Sequence, residues 1–169
     1  MKRYALAVIR RAVGRVAPAV GKRRVLVTAD RGFADVAVVP FLHPLGITCI
    51  MRVKAGTQGY CRGKWCNWGQ LRFRGNAPHR SFGALPYGES GPHRLWVSKR
   101  RARDAKGNWG MWHLVSQRSY AARAAGNEYS RRFGCEEGFR DAKWWGGFAK
   151  ARLAQSKAWS RMFALFVLA

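Results

Sequence analysis

A mixed α/β fold is predicted by three stretches of this 169-residue chain. Residues 25–53 read as strand, helix, strand; residues 55–110 are rich in Gly, Trp and Arg with short strand-like runs; and from Ser119 onward the helix-forming residues Ala, Arg, Glu and Lys prevail. The expected division is therefore 1–54, 55–110 and 111–169.

The elements follow in order. Leu6, Ile9, Val13, Val16 and Val20 recur at steps of three and four, which is one helix face, with Arg10, Arg11 and Arg15 elsewhere. Gly21-Lys22-Arg23-Arg24 breaks that helix. Val25-Leu26-Val27-Thr28-Ala29 is a short apolar run suited to a buried strand, and Asp30 stands at its end. The loop from Asp30 to Phe33 leads into Val36 to Leu42, predicted helical, and Ile47 to Val53 reads as the second strand. Within 55–110, Gln70 to Arg74 and Arg94 to Val97 are predicted strands of an all-β insertion. Met111 to Val115 is predicted to be a returning strand, and helices are expected from there to about Leu168.

Charge narrows the function. The chain carries 32 Lys+Arg against 8 Asp+Glu, a net +24, with 48% hydrophobic and 13% aromatic residues. That apolar content builds a core, which excludes a disordered basic tail. The charge calls for a polyanion, and nucleic acid is the leading partner because phosphate contacts release counterions. Between Arg52 and Lys106, 13 cations oppose only Glu89 and Asp104. The longest apolar run, Met162 to Ala169, is far short of the ~18 residues of a spanning helix, so no membrane segment is expected. Residues 4–9 form too short an apolar run, ended by Arg10 and Arg11, for a secretory signal; an Arg-rich transit peptide is the targeting segment this composition fits better. Four irregularly spaced cysteines make no disulfide framework, so a reducing compartment is expected.

One constellation carries chemistry. Tyr129, Arg132, Glu136 and Lys143 stand at offsets 0, 3, 7 and 14. At ~100° per residue they fall within about 60° of one helix face, with Arg140 close to the same direction. A carboxylate flanked by a hydroxyl, a guanidinium and an ammonium suits a metal beside a phosphate chain. A solvated helix face with i, i+4 pairs such as Arg132 to Glu136 produces the same stripe.

The spacing Tyr-x2-Arg-x3-Glu-x6-Lys resembles the YREK signature of bacterial DDE insertion-sequence transposases of the IS-four-like group. Val25 to Phe33 is similar to the strand and turn that bear that family's second catalytic Asp, followed by a helix, a strand ending in Met51-Arg52-Val53-Lys54, and a β insertion. The resemblance implies an RNase H-like core and in-line attack on a DNA phosphodiester between two Mg²⁺ or Mn²⁺ ions. It makes Asp30 and Glu136 catalytic metal ligands, and it makes Tyr129, Arg132 and Lys143 contacts to DNA phosphates, with Arg140 beside them. Arg52 and Lys54, at the end of a strand, are further candidate backbone contacts, and a surface charge pair explains them equally well. Transposon-end duplex DNA, a second copy of the chain in a homodimer and a bacterial cytoplasmic, nucleoid-associated location are implied with it.

The sequence departs from the family in one respect that matters: no acidic residue precedes Asp30, so the first of three carboxylates is absent. The chain is accordingly expected to be the C-terminal part of such an enzyme, a decayed copy or a half completed by a product encoded upstream, and to be inactive alone. Trp112 lies in a segment similar to the strand from which some family members stack a Trp on a flipped base; a core Trp on a buried strand is the favoured reading. Cys61-x4-Cys66 with His79 and His93 matches no common zinc knuckle closely, and ordinary half-buried thiols are expected. The alternative from a different class is a non-catalytic, basic, aromatic-rich DNA- or RNA-binding protein.

Overall fold

The computed structural model describes residues 2–21, 25–32, 34, 38–72, 77–87, 93–103 and 107–144. Two compact units divide the chain, Met1–Tyr129 and Ser130–Ala169. The expected mixed α/β class is the observed one.

In the first unit, helix α1 (Lys2–Val20) precedes strand β1 (Leu26–Ala29), helix α2 (Val38–Leu42) and strand β2 (Thr48–Val53). A hairpin of β3 (Gln58–Cys61) and β4 (Lys64–Asn67) follows, then the long strands β5 (His79–Pro86), β6 (Arg94–Arg103) and β7 (Trp109–Ser116), and helix α3 (Ala122–Ser130). The five-stranded sheet has the order β1-β2-β7-β6-β5, and β3 and β4 form their own two-stranded sheet. Among the described strand pairs only β1 and β2 run parallel. A parallel pair needs a crossover rather than a tight turn, and the segment containing α2 supplies it. Strands β5 and β6, drawn from the stretch expected as an insertion, join the large sheet through β7.

Alternation sorts the side chains of that sheet. Cys49, Met51, Val53, Leu95, Val97 and Val115 belong to one core cluster with Ile9, Val13 and Ala17 of α1, Val38, Val39 and Leu42 of α2, and Trp68. The opposite face holds Ile50, Leu114 and Trp112, and α3 packs there through Tyr129 and Gly126. Helix α1 buries Ile9, Val13 and Ala17, whereas Val16 and Val20, expected on the same stripe, are exposed. At ~100° per residue the buried arc runs from Ile9 to Ala17 and is centred on Val13, so Val16 falls at its margin, while Val20 lies in the final turn. Gly21 then ends the helix at φ 84°, its N–H donating to the Ala17 carbonyl at 3.0 Å.

The strand expected at Gln70 to Arg74 begins instead as a 3₁₀ turn over Trp68–Gln70. Trp68 turns inward as a fully buried anchor, its backbone N–H donating to the Thr57 carbonyl at 3.0 Å, while Gly69 N donates to Ala55 O at 2.7 Å. Residues 73–74 lie outside the described residues, as do 33 and 35–37, where the second helix was expected to start.

The second unit contributes helix α4 (Arg132–Trp144). The single helical face expected to carry Tyr129 through Lys143 is broken at Arg131, whose carbonyl accepts from Gly134 N at 3.1 Å in a tight i, i+3 turn. Arg132, Glu136, Arg140 and Lys143 remain together on α4, while Tyr129 belongs to α3. The helices expected to reach Leu168 fall in 145–169, outside the described residues. Among the described residues no helix is long and apolar enough to cross a membrane.

Gly59 of β3 faces Trp68 so closely that a Cβ there would land on the indole nitrogen and lie 3.1 Å from the Pro86 carbonyl oxygen. Gly59→Ala is therefore expected to destabilise the fold by roughly 1–3 kcal/mol through overpacking, read as a lowered denaturation midpoint. A midpoint equal to the parent's would show that the Trp68 anchor yields freely.

Candidate functional site

Asp30 directly follows β1 and meets α3. Its Oδ1 accepts from its neighbour Arg31 N at 2.6 Å and from Tyr129 Oη at 3.2 Å, across 99 residues of sequence. Tyr129 is fully buried on α3, and its ring meets Trp112 of β7 edge to face, with centroids 5.3 Å apart. Two guanidiniums flank the indole, each 5.4 Å from its ring centroid: Arg52 from β2 and Arg100 from β6. These strands lie on either side of β7 in the sheet. Arg100 also donates to Asn127 Oδ1 at 3.3 Å and runs beneath Gly126, where any Cβ would meet its Cδ at 2.5 Å.

The structure thus brings Asp30, Tyr129, Trp112 and Arg52 into one chain of contacts. Trp112 is only 7% exposed, so its ring serves as packing for Tyr129, and stacking on an extruded base would require it to leave that position. Lys54 is exposed at the turn after β2, where its carbonyl accepts from Thr57 N. Arg132 opens α4 with its guanidinium 4.9 Å from the Phe133 ring centroid, and Arg140 is exposed on the same helix. The side chains of Glu136 and Lys143 lie outside the described residues, although their backbone belongs to α4. Asp35 is outside them too.

Arg100 and Asn127 escaped sequence reasoning. Arg100 is one of three consecutive basic residues, Lys99-Arg100-Arg101, and only the β6 to β7 register, which sets Arg100 opposite Trp112, distinguishes it. Its neighbour Lys99 points to the other face, is 2% exposed, and donates to the carbonyls of Gly69 at 3.2 Å and Leu71 at 2.5 Å. Desolvation lowers its pKa from the usual lysine value. This cation holds loops together rather than facing a partner.

His113 stands in register with both Lys99 and Val53. Burial, then the nearby Lys99 and Arg52 charges, push its pKa down to about 4. Among the described residues no three His, Cys, Asp or Glu side chains gather as a metal site. Cys61 and Cys66 are half-buried free thiols, and burial together with their mutual contact raises the Cys66 pKa.

No known protein-family model matches the chain, and no curated protein matches it significantly.

Two outcomes follow from this geometry. Tyr129→Phe keeps the ring against Trp112 but removes the hydroxyl from Asp30, and is expected to cost about 1–2 kcal/mol, seen as a lower melting temperature. An unchanged melting temperature would mean that the hydrogen bond contributes nothing. For His113, the folded state disfavours the proton that the unfolded chain accepts near pH 6.5. Its contribution is fully present above about pH 6.5 and is lost as pH falls towards 4, on the order of 2 kcal/mol in all. His113→Gln should flatten the melting temperature over that window; an equally steep decline in the variant would move the effect to other groups.

Proposed function

We propose that this chain is a DNA-binding polypeptide of DDE-transposase type with an RNase H-like core, and that by itself it binds DNA without cutting it. The observation that carries the proposal is the hydrogen bond between Tyr129 and Asp30. It joins the two segments that the resemblance requires to be neighbours, the strand with the second Asp and the start of the Tyr-Arg-Glu-Lys motif, which the sequence separates by 99 positions. The reading is also supported by the position of Asp30, which directly follows a strand paired in parallel with β2. Arg52 beside Trp112 supplies positive charge for a phosphate backbone next to it.

In this reading Asp30 and Glu136 would hold Mg²⁺ or Mn²⁺, which when bound stabilises the attacking and leaving oxygens of a phosphodiester. The described residues do not by themselves provide three such donors. What this chain's residues do is bind: Arg132, Arg140, Lys143, Arg52 and Lys54 face phosphates of transposon-end duplex, with a second copy of the chain as the natural partner.

The second reading, a basic nucleic-acid binder with no catalytic history, is favoured by the same carboxylate. Its Oδ1 accepts two hydrogen bonds, an arrangement that serves structure as well as chemistry.

Duplex binding by either protein falls steeply with salt; with six or more phosphate contacts the affinity should drop roughly 10³-fold between 50 and 200 mM salt. Salt-independent affinity would defeat both readings. A supercoiled plasmid incubated with the pure 169-residue chain and Mg²⁺ or Mn²⁺ should remain uncut. Nicking abolished by Glu136→Ala would instead establish a working metal site and reject the binder. To separate the two when no nicking occurs, the duplex is offered with and without an exposed 3′ hydroxyl end. Preference for the end, lost in Arg132→Ala, supports the transposase type, and indifference to ends supports the plain binder.

A further inference from the structure

The β3–β4 hairpin leans on β5 through a bridge between Gly59 and Tyr87. Between the hairpin and β5 lies a cleft of about 690 Å³, distinct from the Asp30 site. Asp30 ends β1 at one edge of the five-stranded sheet and β5 is the other edge, so four inter-strand steps of ~4.8 Å, roughly 19 Å, separate them. Register explains what faces the cleft. Cys61 pairs with Lys64 and Gly59 with Cys66, so Cys61, Lys64 and Cys66 share one hairpin face, while Tyr60 and Trp65, paired with each other, occupy the opposite face. Four cations line the cleft, namely Arg62, Lys64, Arg72 and Arg80, over an apolar floor that includes Phe82, and no carboxylate is among its described lining residues. The Arg80 guanidinium is 5.3 Å from the Phe82 ring centroid, and buried Lys99 approaches the same ring at 5.8 Å, adding positive charge beneath the floor.

We infer that this cleft is a second binding site, for a phosphate-bearing ligand no wider than one nucleic-acid strand. Four converging cations without a counter-carboxylate favour phosphate oxygens. The volume is that of a small-ligand pocket and admits a single strand or one nucleotide, whereas a duplex would have to lie across its mouth. A single-stranded segment and a free nucleoside triphosphate offer the same phosphates. The assignment does not rest on the Asp30 site, and its failure would leave duplex binding untouched.

The two cleft thiols provide the readout. The alkylation rates of Cys61 and Cys66 by N-ethylmaleimide are measured peptide by peptide by mass spectrometry at low salt, in the presence of a short oligothymidylate, ATP or a blunt duplex of equal length. Protection of about fivefold or more by the oligothymidylate identifies a strand, and protection by ATP alone identifies a free nucleotide; either result supports the cleft. Lys64→Glu combined with Arg72→Glu, both on exposed side chains, should weaken the protecting ligand by about tenfold or more. If the unliganded double variant is alkylated at the parent rate, its cleft is intact and the loss reads charge; if it is alkylated faster, protection of the parent chain decides. Equal rates with and without both ligands, or protection by the duplex as strong as by the strand, overturn the assignment.

Discussion

Strand β7 imposes the constraint on which both halves of the sheet depend. It pairs with β2 on one side and β6 on the other, so its alternation fixes which residues of three strands share a face. Val115 is committed to the core beneath α1 and α2, and Trp112 and Leu114 to the face beneath α3. A slip of one residue would put Trp112 into the aliphatic core and strand His113 beneath α3. Everything in the candidate site is downstream of that register, because Tyr129 reaches Asp30 only from a helix seated on Trp112.

Charge is handled differently on the two faces. Beneath α3, Arg52 and Arg100 keep their guanidiniums against an indole, an arrangement that desolvates them little and gains cation–π attraction. On the other face Lys99 is almost wholly buried and retained through two carbonyl acceptors, and it helps to keep its register neighbour His113 neutral. A chain with net charge +24 thus uses some of its cations as internal struts and displays others, such as Lys54, Arg62, Lys64 and Arg140, on the surface. Counting charges along the sequence does not separate these uses.

The two regions with functional character are built on opposite edges of the sheet. At the β1 edge a carboxylate is held by a tyrosine hydroxyl; at the β5 edge a hairpin and a strand enclose a cationic cleft. On the proposed readings the first takes a duplex backbone and the second a narrower phosphate chain.

Much of the local structure was legible in the sequence because its signals are local. The three-four spacing of α1, the β-branched run of β1, the strand Thr48–Val53 and the stop at Gly21 each arise within a few residues of one another. Asp30 at the end of its strand and the Tyr-Arg-Glu-Lys spacing were equally visible. The inward turn of Trp68 and the exposed Val16 were not, since neighbours distant in sequence decide them, and neither was the break at Arg131. Nor could sequence show that Tyr129 touches Asp30, that Arg100 rather than Arg101 flanks Trp112, or that Lys99 is a buried strut. Periodicity determines which residues of an element share a side; which element that side meets is decided by strand register and helix seating, and those are settled only when the whole sheet closes over its core.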